Sequence, residues 1–422
     1  MRSRRAWLRG AATIFPGLAG ARLAHGQQGT PRVVVIGGGF GGASCARALK
    51  AADPVLDVTL IEPNGSYTAC PFSNLVLGGY RRIADQQFSY GALATRGIRI
   101  APLAASDVDA TRRVVTLSDS TQLPYDRLVL APGIDIDWRG LPGYDAAAAE
   151  RMPHAWRAGA QTMLLRRQLE ALPDGGVVAM SVPQAPYRCP PGPYERASLI
   201  ASYLKQHKPA AKLLILDAKD SFSKQALFQQ GWQALYGSMI EWAGAADGAA
   251  VIEVNARNKS LITDFDRIEA DVANVIPPQR AGAIAVRAGV TDASGWCPIE
   301  AATFESTLVP GIHVIGDAAI ANAMPKSAFA ANAQARLCAV QVVRLLRGDE
   351  PGVTKLVNTC YSLLNPTYGI SVAGVYTPTA NGWTPVPGAG GASDLDAPAT
   401  YRRLEARYAG DWFAAITGQV FG

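Results

Sequence analysis

The sequence predicts an α/β protein with two βαβ-type domains and a C-terminal interface domain. Three observations support this fold class. A glycine-rich turn lies between two short β-branched runs near the start of the chain, a second set of such runs lies within residues 146–294, and the pattern ends near residue 352. Short buried strands that alternate with helices are typical of parallel sheets covered by helices.

Residues 1–28 have the features of a twin-arginine (Tat) export signal. Ser3-Arg4-Arg5 precedes a mildly apolar stretch at 11–21 and small residues near Ala24, which is the order found in signal peptides. The alternative is an ordinary tail with a chance pair of arginines. Because this export route carries proteins already folded around a cofactor, we expect the mature protein to act in the periplasm. No later run reaches about eighteen apolar residues, so no membrane-spanning helix is predicted.

The charge balance argues against a nucleic-acid role. The formal net charge of +6 includes five arginines of the export segment, and without them 35 basic residues stand against 34 acidic ones. The six cysteines form no C-x-x-C-H motif, so the chain attaches no c-type haem itself. With no C-x-x-C pair and only four histidines, no metal site is predicted.

The first βαβ unit carries the strongest local pattern. A strand is predicted at Arg32 to Ile36, a helix at 43–51 and a second strand at 58–61, and the turn between the first strand and the helix reads Gly37-Gly38-Gly39-Phe40-Gly41-Gly42. In a Rossmann-like domain, the positions of Gly37, Gly39 and Gly42 permit the tight turn and the close approach of a pyrophosphate. Glu62, at the end of the second strand, would accept hydrogen bonds from ribose hydroxyls.

Two later predicted strands are also followed directly by turns. Residues 128–130 run into Ala131-Pro132-Gly133, and 312–315 run into Gly316-Asp317. These segments resemble the A-T-G and G-D motifs of disulfide-reductase-like flavoproteins with two dinucleotide-binding domains, with Pro132 in place of the usual threonine. The resemblance implies that Asp317 binds the ribityl chain of FAD, beside Gly133 and Gly316. It also implies a discontinuous FAD-binding domain made of residues 30–145 and 295–350.

The second Rossmann-like domain, residues 146–294, lacks a dinucleotide loop. Strands are predicted at 176–180 and 213–217 with a helix at 194–205 between them, but the loop after the first strand is rich in proline and has no G-x-G-x-x-G pattern. Cys189 stands where glycine would admit a pyrophosphate. We therefore expect a pseudo-nicotinamide domain, with NAD(P)H excluded as the electron donor.

Residues 352–422 leave the βαβ pattern. Prolines and glycines between 378 and 398 predict a loop-rich region, and residues 400–408, followed by Trp412, Phe413 and Ile416, predict a short terminal helix. We interpret this part as a C-terminal interface domain.

The cysteine segments make the resemblance more specific. They read Tyr67-Thr68-Ala69-Cys70-Pro71-Phe72-Ser73-Asn74, Arg188-Cys189-Pro190, Gly295-Trp296-Cys297-Pro298, Met324-Pro325-Lys326-Ser327 and Thr359-Cys360-Tyr361. Together they resemble the flavoprotein subunit of flavocytochrome c sulfide dehydrogenase over nearly the whole mature chain. That family oxidises sulfide to polysulfide or sulfur and passes electrons to haem c on a separate cytochrome subunit.

The resemblance implies roles for individual residues. Cys70 would hold FAD through a thioether to the 8α-methyl group, and Cys189 and Cys360 would form a redox disulfide beside the flavin. Hydrosulfide would attack this disulfide by thiol exchange, leaving a persulfide and a thiolate that reduces the flavin. Glu195, six residues beyond Cys189, is a candidate acid/base, and Lys326 would lie near the flavin pyrimidine ring.

Each role has a structural alternative. Cys70 could be a buried loop cysteine, Cys189 and Cys360 a structural disulfide or free thiols, Glu195 a helix N-terminal acid and Lys326 an exposed lysine. Cys45, Cys297 and Cys338 are interpreted as core residues. Two other functions stay open: a periplasmic-side sulfide:quinone oxidoreductase, which would need an amphipathic C-terminal membrane surface, and a non-catalytic flavin protein that relays electrons.

Overall fold

The first segment confirms the predicted βαβ unit. The computed structural model describes residues 29–422. Its strands up to residue 136 are β1 (Arg32–Ile36), β2 (Asp57–Ile61), β3 (Ser66–Thr68), β4 (Gln87–Ser89), β5 (Arg99–Ala101), β6 (Ala105–Asp109), β7 (Val114–Leu117), β8 (Gln122–Pro124), β9 (Arg127–Leu130) and β10 (Ile134–Ile136). The helices are α1 (Phe40–Ala52), α2 (Ser73–Leu77) and α3 (Gly91–Ala94), with a 3-10 turn at Ile83–Gln86. The predicted export signal lies outside the described residues.

The second segment forms its own parallel sheet. Its elements in chain order are α4 (Ala146–Ala149), α5 (Ala160–Ala171), β11 (Val177–Val182), α6 (Gly192–His207), β12 (Lys212–Asp217), α7 (Gln225–Tyr236), β13 (Ile240–Ala243), a 3-10 turn (Ala245–Asp247), β14 (Glu253–Asn255), β15 (Ser260–Ile262), β16 (Arg267–Glu269), β17 (Val272–Val275), β18 (Gln279–Ala281) and α8 (Ala283–Arg287). The sheet order is β13-β12-β11-β17, with all neighbours parallel. Strand β11 is central and buried, and it ends where the prolyl loop begins.

A late part of the chain returns to the first sheet. It contains β19 (Cys297–Pro298), β20 (Ile312–Val314), a 3-10 turn (Gly316–Ala318), β21 (Ala319–Ile320) and α9 (Ala328–Arg347). Strand β20 pairs in parallel with β9, which gives the five-stranded order β20-β9-β1-β2-β5. Helix α9 packs on α1, where both Cys45 and Cys338 are fully buried. The turns after β1, β9 and β20 therefore meet at the carboxyl ends of neighbouring parallel strands, the usual place for a ligand.

The last 70 residues differ from the prediction. Instead of loops and a short helix they form β22 (Leu356–Asn365), β23 (Tyr368–Thr379), β24 (Gly382–Ala392) and the long helix α10 (Ala399–Phe421). The prediction of a loop-rich region was wrong because Pro385 and Pro387 lie on β24, an edge strand, beside a break in the register with β23. An edge strand tolerates residues that donate no hydrogen bond.

Helix α10 continues to Phe421, beyond the predicted residues 400–416, because its apolar side is covered. Phe413, Ile416, Val420 and Phe421 are buried against the first segment. This burial outweighs the weak helix propensity of glycine at position 418. Within residues 29–422, no helix combines the length and the apolar character that a bilayer crossing demands.

Candidate functional site

A cavity of about 570 Å³ gathers most of the predicted site residues. Its volume is in the range of small-molecule and cofactor sites. Its lining includes all but two of the predicted residues: Gly37, Gly39, Glu62, Cys70, Gly133, Cys189, Glu195, Gly316, Asp317 and Cys360. The two exceptions are Gly42 and Lys326.

Gly42 shapes the glycine turn from behind. A Cβ atom at this position would lie 1.8 Å from the carbonyl oxygen of Gly37, so only glycine lets α1 start so close to the turn. Gly37 itself has φ +101° and would place a Cβ atom 2.3 Å from the oxygen of Ala131. Both glycines therefore set the path of the backbone that faces the cavity.

The Glu62 end of the cavity fits a polar ligand. The Glu62 carboxylate accepts hydrogen bonds from the Gly38 N–H at 2.9 Å and from Asn64 Nδ2 at 2.7 Å, which hold it at the glycine turn. Nearby, the buried Tyr90 hydroxyl also lines the cavity and has no hydrogen-bond partner among the described residues. A buried hydroxyl without a partner is rare, and a ribose or phosphate group would supply one.

Asp317 lies in the 3-10 turn that follows β20 and lines the cavity. Burial raises the pKa of its carboxyl, and the positive charges of Arg188 and Lys326 act in the opposite direction. Arg188 belongs to the prolyl loop and donates a hydrogen bond to the backbone oxygen of Trp156. No sequence pattern identified Arg188 as a site residue, because its proximity to Asp317 depends on the packing of two segments far apart in the chain.

Cys70 lies between β3 and α2, with its sulfur 3.8 Å from the backbone oxygen of Trp156. The fully buried amide of Gln86 donates to the carbonyls of Ala69, at 2.7 Å, and Pro71, at 2.6 Å. Gln86 therefore clamps the backbone on both sides of Cys70. No sequence motif identified this glutamine, since its partners are carbonyl groups of a separate loop.

Cys189 occupies a left-handed backbone position with φ +57°. Its N–H donates to the oxygen of Lys326 at 2.7 Å, and its oxygen accepts from the N–H of Gly192 at 2.8 Å, so the loop is anchored on both sides. Burial, and next the negative charge of Glu195, raise the pKa of the Cys189 thiol. This thiol is therefore poorly suited to carry a negative charge by itself.

Cys360 reaches the same cavity from β22. Its sulfur accepts a hydrogen bond from Asn358 Nδ2 at 3.2 Å. The structure records both Cys189 and Cys360 as free thiols, and the packing of α6 against β22 brings them to the same cavity.

Glu195 lies in the first turn of α6, as predicted. Its carboxylate accepts from Asn74 Nδ2 at 3.4 Å and from the N–H of Leu363 at 3.3 Å. Burial raises the pKa of Glu195 to about 6. A carboxyl group with a pKa near neutrality is able to exchange a proton with a neighbouring sulfur.

Lys326, predicted to lie near the flavin pyrimidine ring, is held just behind the cavity lining, and its relation to a flavin stays a prediction. Its ammonium donates to the backbone oxygens of Asp317, at 2.7 Å, and Ala319, at 2.9 Å, and lies 3.8 Å from the ring centroid of Trp296. It does not line the cavity. Burial lowers the pKa of Lys326 to about 8. Its side chain turns toward these carbonyls because they satisfy a charge that the surrounding core would otherwise leave unpaired.

Side chains fill the place of a second dinucleotide site. Asp217, the last residue of β12, corresponds in position to Glu62, which directly follows β2 in the first sheet. Unlike Glu62, Asp217 is fully buried. Its carboxylate accepts hydrogen bonds from Tyr194 at 2.5 Å, Lys219 at 2.6 Å and Trp242 at 3.1 Å. Phe222 stacks on Tyr194 with ring centroids 3.6 Å apart. The Asp217 carboxylate is therefore not available to accept hydrogen bonds from the hydroxyls of a ribose.

Three family models of flavoproteins and related oxidoreductases match parts of this chain. Residues 162–277 match the family model of the central region of the flavoprotein chain of flavocytochrome c sulfide dehydrogenase, residues 353–421 match the flavin-binding model of the same family, and residues 31–168 match the pyridine nucleotide-disulphide oxidoreductase model. The flavoprotein chain of sulfide dehydrogenase from Chlorobaculum thiosulfatiphilum is 60% identical over 48 residues, which are 11% of this chain and 100% of that sequence.

More distant relatives match larger parts of the chain. The mouse mitochondrial sulfide:quinone oxidoreductase is 20% identical over 307 residues, which cover 68% of this chain and 65% of the mouse protein. The crystal structure of sulfide:quinone oxidoreductase from Aquifex aeolicus aligns with a TM-score of 0.73 at 17% identity and covers 92% of both chains. At that identity, the likeness establishes the fold alone.

Proposed function

Because this chain belongs to the family of flavocytochrome c sulfide dehydrogenase flavoprotein chains, we propose that it is an FAD-dependent oxidoreductase that oxidises sulfide to polysulfide or sulfur. The observation that carries the proposal is that Cys189, Cys360 and Glu195 line the same cavity as the glycine turn, Glu62 and Asp317. A thiol pair, a group with a pKa near neutrality and a nucleotide-binding turn are the components that this reaction requires.

The chain offers a consistent set of groups for holding the cofactor. The glycine turn and Glu62 would bind the nucleotide end, Asp317 the ribityl chain, and Cys70 would form a thioether to the 8α-methyl group of the flavin. The unpartnered Tyr90 hydroxyl supports a polar ligand at the Glu62 end. When bound, FAD supplies an acceptor that takes up two electrons together and releases them singly.

The reaction of the cysteine pair balances within the site. In the oxidised protein, Cys189 and Cys360 would be joined by a disulfide. A lone pair of hydrosulfide forms a new S–S bond with one cysteine, the Cys189–Cys360 bond breaks, and its electron pair leaves on the other cysteine as a thiolate. Glu195 would give or take the proton of the sulfur groups, since it lies next to Cys189 and is half-protonated near pH 6.

The acceptor is proposed to be a c-type cytochrome subunit on a separate chain, in a periplasmic heterodimer. The name of the matching family supports a cytochrome partner, and the signal-like residues 1–28 support export. A sulfide:quinone oxidoreductase is the second candidate, because Tyr401, Leu404 and Tyr408 expose apolar surface along α10. Phe413, Ile416 and Phe421 are buried and do not contribute to such a surface.

Anaerobic flavin bleaching tests the function. Sulfide should bleach the flavin absorbance of the purified protein, and oxidised cytochrome c should restore it faster than a soluble quinone analogue. Faster restoration by the quinone would favour the second candidate. Cys189→Ser and Cys360→Ser should abolish bleaching by sulfide, whereas Cys45→Ser, in the α1–α9 interface, should not. Wild-type flavin that sulfide fails to bleach would point to a relay protein without sulfide chemistry, and bleaching that survives in both cysteine variants would contradict the role of the cysteine pair.

The covalent bond to Cys70 has its own test. After denaturing electrophoresis under acid, flavin fluorescence should migrate with the wild-type band and disappear from the Cys70→Ala band. Cys45→Ala should keep the fluorescence, because that thiol is buried outside the cavity. A wild-type band without fluorescence would refute the thioether while leaving noncovalent FAD binding open.

A further inference from the structure

A second charged group lies beside the cysteine pair, and the reaction proposed above assigns it no role. Lys224 stands directly before α7 in a left-handed backbone position, with φ +64°. Its ammonium donates to the backbone oxygen of Cys360 at 2.9 Å and to the hydroxyl of Ser362 at 2.8 Å. Both partners belong to β22, so the lysine joins the second segment to the strand that carries a redox cysteine.

This ammonium has no carboxylate partner. Within residues 29–422 it forms no salt bridge at 4.0 Å or less, whereas the neighbouring Lys219 pairs with Asp217 at 2.6 Å. Burial lowers the pKa of Lys224 to about 8. Keeping an unpaired cation in a desolvated place costs free energy, and such groups are concentrated at functional sites.

The two cysteines differ in the groups that contact them directly. The sulfur of Cys360 accepts a hydrogen bond from Asn358, and the Lys224 ammonium donates to the backbone oxygen of Cys360. Cys189 instead lies in surroundings of mixed charge, because the Glu195 carboxylate opposes ionisation of that thiol while the charges of Arg188 and Lys224 favour it. The hydrogen bond from Asn358 to the Cys360 sulfur, together with the Lys224 cation bound to the backbone of Cys360, favours an anion at Cys360.

We infer that Lys224 is a positioning residue that acts through the Cys360 segment to stabilise the sulfur anion formed there when the cysteine pair opens. This inference rests on the proposed function. When hydrosulfide breaks the disulfide, one new S–S bond replaces another and the single negative charge remains in the site. Whether Cys360 then carries the thiolate or the persulfide, Lys224 offsets that charge for as long as it stays in the site.

Other ionisable groups also act on this pair and belong in any account of its pH dependence. The groups that face Lys224 and the cysteines from the surrounding elements are Arg188 in the prolyl loop, Glu195 and Arg196 on α6, Tyr376 on β23 and Glu405 on α10. Among them, Arg188, Glu195 and Arg196 line the main cavity beside the cysteines. A test of Lys224 therefore has to report on the Cys360 sulfur itself.

The test is the pH dependence of Cys360 alkylation in the full, flavin-loaded protein. After reduction with dithiothreitol, iodoacetamide labelling of Cys360 is measured by peptide mass spectrometry in wild type, Lys224→Met, Lys224→Arg and Lys205→Met. Lys205 is an exposed lysine on α6 and serves as the matched control. Lys224→Met should raise the pH midpoint of labelling by about one unit, because a nearby cation lowers the pKa of a thiol. Lys224→Arg and Lys205→Met should stay at the wild-type midpoint.

Two results would overturn the inference. One is an unchanged midpoint in Lys224→Met, and the other is an equal shift in Lys224→Met and Lys224→Arg, which would indicate packing rather than charge. If Lys224→Met fails to fold, Ser362→Ala takes its place: it removes one anchor of the ammonium and should shift the midpoint upward by a smaller amount. Labelling uses no sulfide, so its outcome is separate from the bleaching test of the proposed function.

Discussion

At the scale of single residues, the site depends on groups whose charge is set by burial. Glu195 and Lys224 both lie beside the cysteine pair, and burial moves the pKa of each toward neutrality, to about 6 and about 8 respectively. Both groups can therefore change protonation within one pH unit or so of neutral conditions. This property suits a site in which sulfur atoms gain and lose protons.

Glu195 should also leave a signature in stability. Its pKa is raised from 4.5 to about 6 on folding, so its contribution to stability is fully present below pH 4.5 and is lost as the pH rises through about 6. Glu195→Gln cannot ionise, so above pH 6 it should be more stable than wild type by about 2 kcal/mol. Denaturant unfolding at a series of pH values measures the difference.

The control for this prediction is Glu253→Gln, an exposed carboxylate on β14. It should follow the wild-type curve at every pH. If Glu195→Gln and wild type differ by the same amount on both sides of the titration, the carboxyl of Glu195 is not perturbed by burial.

At the scale of secondary-structure elements, the start of α1 depends on one glycine. In Gly42→Ala, the new Cβ atom would lie 1.8 Å from the oxygen of Gly37, so the turn must move away from its position at the cavity. We expect loss of flavin from the purified protein and a decrease of about 1–3 kcal/mol in the free energy of unfolding. The ratio of flavin to protein absorbance and urea unfolding provide the two measurements.

Gly410→Ala is the matched glycine substitution, because a Cβ atom added at this position on α10 would meet no other atom within 4 Å. It should retain flavin and gain up to about 1 kcal/mol from helix propensity. Normal flavin content in Gly42→Ala would contradict the role of this glycine in shaping the turn.

Helix α10 stabilises the first segment through its last aromatic residue. The Phe421 ring stacks on Phe88 at 5.3 Å and on Tyr67 at 5.5 Å between centroids, next to the glycine turn. Phe421→Ala should lower the free energy of unfolding by about 3–5 kcal/mol, because it leaves a cavity among these rings. Denaturant unfolding measures the loss. Tyr408→Ala, on the exposed side of the same helix, should change stability by no more than about 0.5 kcal/mol. Equal losses in the two variants would show that this packing is not specific.

At the scale of the whole molecule, the two parallel sheets share the order of their first four strands but differ at the ends of those strands. The first keeps an open turn and a cavity, whereas the second closes the corresponding place around Asp217 with Tyr194, Lys219 and Trp242. We therefore predict that NADH and NADPH leave the flavin oxidised under anaerobic conditions in which sulfide bleaches it. Dithionite, which needs no binding site, is the control for a reducible flavin. Bleaching by NADH at a rate comparable with sulfide would contradict the closed site.

Local patterns determined the parts of the fold that depend on neighbouring residues. The limits of β1, the glycine turn, the buried helices around Cys45 and Cys338, and Glu195 in the first turn of α6 follow from side-chain periodicity and backbone conformation, which are properties of short segments. Resemblance to a family added the selection of Cys70, Cys189 and Cys360 among six cysteines. No spacing rule in the chain would have made that selection.

Only the tertiary structure decided which of these groups meet. The orientation of Lys326 toward backbone carbonyls, the clamp of Gln86 around Cys70, the closure of Asp217 and the place of Lys224 beside Cys360 all join segments far apart in the sequence. The C-terminal sheet was also decided by tertiary structure. Strand pairing at the sheet edge and the burial of α10 outweighed the local preference of proline and glycine for loops. The physical reason is that turns and periodicity act over a few residues, whereas the charge and hydrogen bonding of a buried side chain depend on whatever the folded chain packs against it.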